Sequence, residues 1–344
     1  AFSQRPARKC GALSVAKWGS RRFNTGTTFH MSANGFGTIQ IFSTNVGKEL
    51  AEKICQDLGI TLGQARLARF KDGEVDVQIL ESVRGNDVFI VAPTQPPAEN
   101  LLEAIYLTEA ARLSSAGRVT LVIPYFGYAR ADRKDAPRKA IAARLAFKML
   151  EIAHPNRFLM LDIHAEQTLA SVDNAVTDHL YGSSVGVPYL KKLLDGKDFV
   201  IASPDRGGGA RAIKYATLLG HDDFVFFSKQ RASAGEVKQD SIKIIGDVKG
   251  KLVVLVDDMI DSGGTMIADA KAAKDEGASE VWAFATHGLF SAGALEKFKN
   301  SSIDRVFTTD SVYHDPKELA DAKVEVISVS TLLASAIKRT HDGE

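Results

Sequence analysis

From Thr38 onward, short apolar runs alternate with longer amphipathic stretches, and this alternation leaves few folds open to the chain. "TIQIFS", "DVFIVAP" and "RVTLVIPYF" read as strands. Between them, "KELAEKICQDL" places Leu50, Ile54 and Leu58 at helical spacing, and a second helix is expected around "NLLEAIYLTEAARLSSAG". After "ARLAFKMLEIA" come "RFLMLDIH", "FVIASPD", "DFVFFSK", "KLVVLVDD" and "EVWAFATHG", again with helical segments interleaved. Strands that alternate with helices imply parallel sheets covered by helices. So many strands suit two sheets better than one. The expected architecture is α/β, with two similar domains at 36–182 and 183–344, each a mainly parallel sheet flanked by helices.

Composition excludes several function classes. The 344 residues are 45% hydrophobic and 25% charged, enough for two globular cores. A formal net charge of +1 gives no global field to draw in nucleic acid or an anionic membrane, so neither is expected as a partner. No apolar run reaches the ~18 residues that a membrane helix requires. Cys10 and Cys55 are too few for a disulfide framework, which favours a reducing compartment.

Residues 1–35 differ from the rest. There is no Asp or Glu before Glu49, while Arg5, Arg8, Lys9, Lys17, Arg21 and Arg22 are spread among small and hydroxyl residues. This is the composition of an organelle transit peptide, with mitochondrion or plastid as destination. A disordered basic tail on a cytoplasmic protein is the alternative, with Met31 as a possible start.

The stretch "VVLVDDMIDSGGTM" (253–266) carries the chemistry. A buried strand runs into a turn where Gly263 and Gly264 permit backbone angles closed to other residues, so that successive amides can converge on an anion. Ser262 and Thr265 add hydroxyl donors, and a helix beginning near Met266 would present its positive end there. Asp257, Asp258 and Asp261 then suit sugar hydroxyls and water-mediated contact with a divalent cation. A sugar phosphate satisfies both halves. No Gly-Lys-Ser/Thr follows the glycines, so this is no Walker-type loop.

This loop resembles the phosphoribosyl-diphosphate loop shared by phosphoribosyltransferases and ribose-phosphate diphosphokinases. "RFKDGEVDVQI" (69–79), "IPYFGYARADRKDAPR" (123–138), "MLDIHAEQ" (160–167), "ASPDRGG" (202–208) and "IGDVKGK" (245–251) resemble the diphosphokinases in order and spacing. The resemblance implies two phosphoribosyltransferase-like domains, the first serving ATP and the second ribose 5-phosphate. It also implies transfer of the β,γ-diphosphate of ATP to the 1-hydroxyl of the sugar, with Mg2+ as cofactor. Catalysis then falls to positioning and positive charge.

By the same resemblance, Lys229 and Arg231 in "SKQRASAGE" are the catalytic pair. Phe70, Asp72, Gly73, Glu74 and Arg130 bind ATP, and the loop from Asp257 to Thr265 binds ribose 5-phosphate. His164 and Asp205 hold the metal. Asp162, two residues before His164, is expected on the same strand face, supporting the metal or orienting the imidazole. The Phe70 flap is expected to complete the ATP site of a neighbouring subunit in a homo-oligomer, a hexamer by resemblance. "KDGE" reads equally as a hairpin turn.

Some positions depart from the family pattern. Ala131 stands where Gln is common, and Glu166 where a small residue is usual. Glu166 lies in the sequence region of the family's inhibitory site with Asp135 and Arg138, and is expected to weaken phosphate binding there. The chain also closes at "THDGE", without the family's "SVS"-type tail. The alternatives are a non-catalytic regulatory subunit of the same family and a phosphoribosyltransferase.

Overall fold

The computed structural model describes residues 35–205, 207–230 and 241–344. The basic segment before residue 35 and the loop bearing Arg231 lie outside the described residues.

The first half runs β1 (Ile39–Ser43), α1 (Lys48–Leu58), β2 (Ala65–Arg69), β3 (Val75–Ile79), β4 (Asp87–Val91), α2 (Glu99–Leu113), β5 (Arg118–Ile123), α3 (Ala142–Glu151), β6 (Arg157–Leu161) and β7 (Val176–Leu180). Five strands form one parallel sheet in the order β1-β4-β5-β6-β7. β2 and β3 make a separate antiparallel hairpin. All five residues of β4, DVFIV, are buried, as both faces of the sheet are covered.

The second half runs α4 (Ser183–Leu194), β8 (Phe199–Ser203), α5 (Gly209–Leu219), β9 (Phe224–Gln230), β10 (Ser241–Ile245), β11 (Leu252–Ile260), α6 (Gly264–Asp275), β12 (Glu280–Gly288), α7 (Ala294–Lys299), β13 (Arg305–Thr309), α8 (Pro316–Leu319), β14 (Val324–Ile327) and α9 (Ser330–Asp342). Its sheet has the order β10-β9-β8-β11-β12-β13-β14, parallel except for the β9/β10 pair. Strand order reverses between β8 and β11, and such a switch point opens a crevice beyond the strands' carboxyl ends.

Alternating side chains feed two faces of each sheet. In the second half, α6 and α7 bury Met266, Ala270 and Phe298 on one face, while α4 and α5 bury Leu190 and Tyr215 on the other. In the first half, α2 and α3 cover one face with Leu107 and Phe147. The opposite face takes α1 and, from the far end of the chain, α9, whose Leu333 and Ile337 pack with Leu50 and Ile54. The last helix of the second half in sequence thus completes the core of the first in space. Arg118 and His341 both bind the fully buried Asp87, pinning the end of α9 beneath the first sheet.

Polar edge strands escape the sequence reading. β7, VTDHL, carries three polar residues and borders the first sheet, and β10 borders the second, paired antiparallel to β9.

Candidate active site

β11 does not stop at its carboxylates. Its nine residues run through Asp257 and Asp258 to Ile260, with Asp257 paired to Ala285 and Met259 to His287 of β12. The acids are therefore held by the sheet itself instead of by a loop. Asp258 is 5% exposed, and its amide donates to Asp257 Oδ1 at 2.9 Å. Gly263 caps α6 with φ 72°, and a Cβ there would meet the Phe298 ring at 2.6 Å. Glycine is required twice over. Gly264 is already helical, so only one of the paired glycines needs left-handed freedom, and the helix begins two residues before Met266. Its N-terminus, with Ser262 and Thr265 alongside, offers amides to an anion.

His164 comes from the first half. β6 ends at Leu161 because Asp162 turns into left-handed backbone at φ 41°, so His164 sits in the loop beyond. Its Nδ1 lies 2.7 Å from Asp258 Oδ2. That hydrogen bond raises the imidazole pKa above its usual value, against burial. Burial likewise pushes Asp258 upward, but His164 and the nearby Arg211 prevail and hold it well below the carboxylate range. Asp257 accepts from the Asp258 amide and feels Arg211, but neither outweighs its surroundings. Burial and the charge of Asp258 push it up to about 8.

Asp162 does something other than the sequence pattern implied. With the strand already ended, strand alternation no longer sets where it points relative to His164, although both line one small cavity with Arg211. Its carboxylate, 6% exposed, turns into the seam between the halves and accepts from Gly182 N–H at 2.9 Å and from the Thr286 hydroxyl. His287 Nε2 lies 3.1 Å from the Asp162 carbonyl oxygen. Asp258 orients the imidazole instead.

Asp205 follows β8, exposed, and accepts from Gly208 N–H at 2.8 Å at the start of α5. His164, Asp205, Asp257 and Asp258 line one cavity of about 630 Å³, with Arg130 at its rim. Arg130, from the loop after β5, is paired to Asp261, which also accepts from the Ser291 hydroxyl. The Ser291 hydrogen bond and then Arg130 keep the Asp261 pKa low.

The other expected residues spread more widely. Phe70, 55% exposed, opens the turn of the β2–β3 hairpin, with its amide donating to Glu74 O at 2.8 Å. Gly73 holds φ 98°, and Glu74 N–H reaches Asp72 Oδ1 at 3.2 Å. This hairpin does not line the His164 cavity. Lys229 is near the end of β9, its backbone paired with Ile242. Asp135 lines the cavity and pairs with Lys139 at 2.7 Å, while Arg138 takes φ 61° in the same loop. Glu166 lies 3.6 Å from His179 Nδ1 and binds the Tyr181 hydroxyl, whose pKa it raises.

Among the described residues, no three His, Cys, Asp or Glu side chains converge as a preformed metal cage. The donor chemistry nonetheless fits Mg2+, which takes one or two carboxylates and completes its shell with phosphate oxygens and water. Asp205 would supply such an oxygen, as would Asp257 in its deprotonated form, and His164, with Nδ1 committed to Asp258, would keep Nε2 for the ion or its water.

Sequence reasoning missed Arg211, in the first turn of α5, which lies 3.7 Å from Asp162 and 3.8 Å from Asp258. It also missed Thr286 and His287. Thr286 lies near the end of the apolar strand β12, and nothing in its local pattern announces a partner 124 residues away.

Comparison with known proteins accords with this geometry. The profile of the N-terminal domain of ribose phosphate pyrophosphokinase matches residues 39–153, and that of the phosphoribosyl synthetase-associated domain matches residues 228–344. The chain is 43% identical over 306 residues to the ribose-phosphate pyrophosphokinase of Chlorobaculum tepidum, covering 89% of this chain and 93% of that one. It is 42% identical over 306 residues to the chloroplastic ribose-phosphate pyrophosphokinase 1 of Oryza sativa, covering 88% and 76%. The crystal structure of phosphoribosylpyrophosphate synthetase from Mycobacterium smegmatis superposes with a TM-score of 0.83 at 30% identity, covering 89% of this chain and all of that one. On sequence and on fold alike, the chain belongs to the ribose-phosphate pyrophosphokinase family.

Proposed function

We propose that the cavity joining the two halves is where the chain transfers the β,γ-diphosphate of ATP to the 1-hydroxyl of ribose 5-phosphate, giving phosphoribosyl diphosphate and AMP. The observation that carries this reading is the His164–Asp258 contact, which sets a residue of the ATP half against the sugar-binding strand over one cavity. The sugar's phosphate sits on the amides and hydroxyls of Ser262 to Thr265 at the start of α6. Its ring hydroxyls face Asp257 and Asp258, and Asp257, with its pKa near 8, can donate a hydrogen bond in its protonated form.

ATP lies on the other side, its phosphates within reach of Arg130 once that side chain leaves Asp261. His164 and Asp205 would hold Mg2+, which when bound would supply positive charge to the phosphate oxygens. Lys229 and Arg231 offer further cations to the diphosphate as it moves. The exposed Phe70 hairpin stacks on adenine in the site of a neighbouring copy, which makes the assembly a homo-oligomer; the size of the native particle, by light scattering, tests this. Glu166, turned toward Tyr181 and His179, weakens phosphate regulation, and Glu166→Ser is expected to strengthen phosphate activation. Import into an organelle is supported by the acid-free basic leader and by the chloroplastic rice relative. A mature N-terminus near residue 35 in isolated organelles is the expected finding.

The decisive assay combines the protein, ATP, Mg2+ and ribose 5-phosphate. AMP should form in equal amount with phosphoribosyl diphosphate. Absence of AMP, with the protein folded, would support a non-catalytic regulatory subunit.

A further inference from the structure

Among the described residues, Arg211 is the one side chain that contacts carboxylates from both halves at the seam, and the reaction as described leaves it without a task. Nη1 is 3.7 Å from Asp162 Oδ1, in the first half, and Nη2 is 3.8 Å from Asp258 Oδ1, in the second. The other oxygen of each carboxylate is already committed, Asp162 Oδ2 to Gly182 and Thr286, and Asp258 Oδ2 to His164. The guanidinium therefore stands between the two remaining oxygens. Its Nε is buried without a hydrogen-bond partner, so charge more than hydrogen bonding keeps it in place. Asp162 and Asp258 would otherwise concentrate buried negative charge beside His164, which is costly without a compensating cation.

We propose that Arg211 is a positioning residue for catalysis: from between Asp162 and Asp258 it fixes the Asp258 carboxylate, and through it the His164 imidazole that faces the substrates. Replacing Arg211 frees Asp258 to turn, and the ring turns with it. Lysine keeps the charge but cannot span both carboxylates with one planar fork. An arginine that instead gripped a substrate phosphate would act independently of Asp162. The inference rests on the functional reading above, since it takes His164 to face the substrates.

The test measures AMP formation, thermal unfolding and histidine-ring NMR signals for the wild type, Arg211→Met, Arg211→Lys, Asp162→Asn and the Arg211→Met/Asp162→Asn double variant. Arg211→Met should lower kcat about 10-fold or more while the KM for ribose 5-phosphate stays within about twofold, and Arg211→Lys should recover part of the loss. The double variant should lose no more than the worse single one, because contacting groups are not additive. In metal-free, substrate-free protein the His164 ring signal, assigned by its disappearance in His164→Gln, should move in Arg211→Met and return part-way in Arg211→Lys. Unchanged kcat in Arg211→Met, losses that multiply in the double variant, or an unmoved ring signal would each overturn the proposal. Should Arg211→Met fail to fold, Arg211→Lys decides: wild-type kcat with an unmoved ring overturns it, and lowered kcat with a shifted ring upholds it. An inactive wild type would overturn the functional reading instead, and the ring signal, which needs no turnover, still decides the inference.

Discussion

The two halves meet twice, and the meetings are chemically opposite. Beneath the sheets, α9 lays Leu333 and Ile337 onto Leu50, Ile54 and the first sheet, an apolar contact with both residues fully buried. Beyond the strands' carboxyl ends, Asp162, His164, Arg211, Asp258, Thr286 and His287 form a polar seam. Apolar contact is non-directional and gains with area, so it tolerates small shifts. Buried charges do not, because each needs its partner at a fixed place. The apolar contact therefore supplies cohesion, and the polar seam supplies register at the cavity between the halves.

Substitutions can break or sharpen that contrast. Leu333→Ala should cost about 2–5 kcal/mol of stability by leaving a cavity under the first sheet, read by chemical denaturation, while kcat well below the unfolding temperature stays close to wild type. A large fall in kcat with stability intact would reverse the assignment of roles. Asp258→Asn should do the opposite, lowering kcat by about 100-fold through loss of the charge that holds His164, with little change in melting temperature. Gly182→Ala comes next, at about 1–3 kcal/mol, since a Cβ there would collide with the Asp162 carboxylate at 2.6 Å and with Thr286. It should lower stability and kcat together, because it strains the seam where both are set.

The smallest effect belongs to a polar contact inside one half. Glu151, at the end of α3, accepts from the amides of Asp173 at 2.9 Å and Asn174 at 2.8 Å. Burial opposes its charge, yet those amides and Lys148 win and lower its pKa. A carboxyl depressed on folding stabilises above its unfolded pKa of about 4.3 and loses that contribution as pH falls through the folded value. Glu151→Gln should cost about 1 kcal/mol at neutral pH and remove part of the acid-side slope of stability, leaving kcat unchanged. A pH-independent cost would show that packing, and not charge, is what Glu151 contributes.

Much of this was readable in the chain. The fully buried strands announced themselves as short apolar runs, and α1 was found to its last residue because Leu50, Ile54 and Leu58 repeat at helical spacing. The glycine-bearing turn after Asp257 and Asp258 was equally legible, since paired glycines after a buried strand mark a sharp turn, and Gly263 takes φ 72° there. β7 was missed because a half-exposed edge strand need not alternate cleanly. Asp162 was misplaced because the reading extended β6 three residues too far, and a positive φ at an aspartate leaves no periodic signature.

Local pattern settled most of the buried strands and the helices, and the glycine-bearing turn into α6, because hydrophobic period and glycine placement act within a few residues. Long-range packing settled which half α9 belongs to, which acid orients His164, and why Asp257 and its neighbour titrate apart. Those outcomes depend on burial and on charges brought together from distant positions, and a linear string carries neither dielectric nor distance.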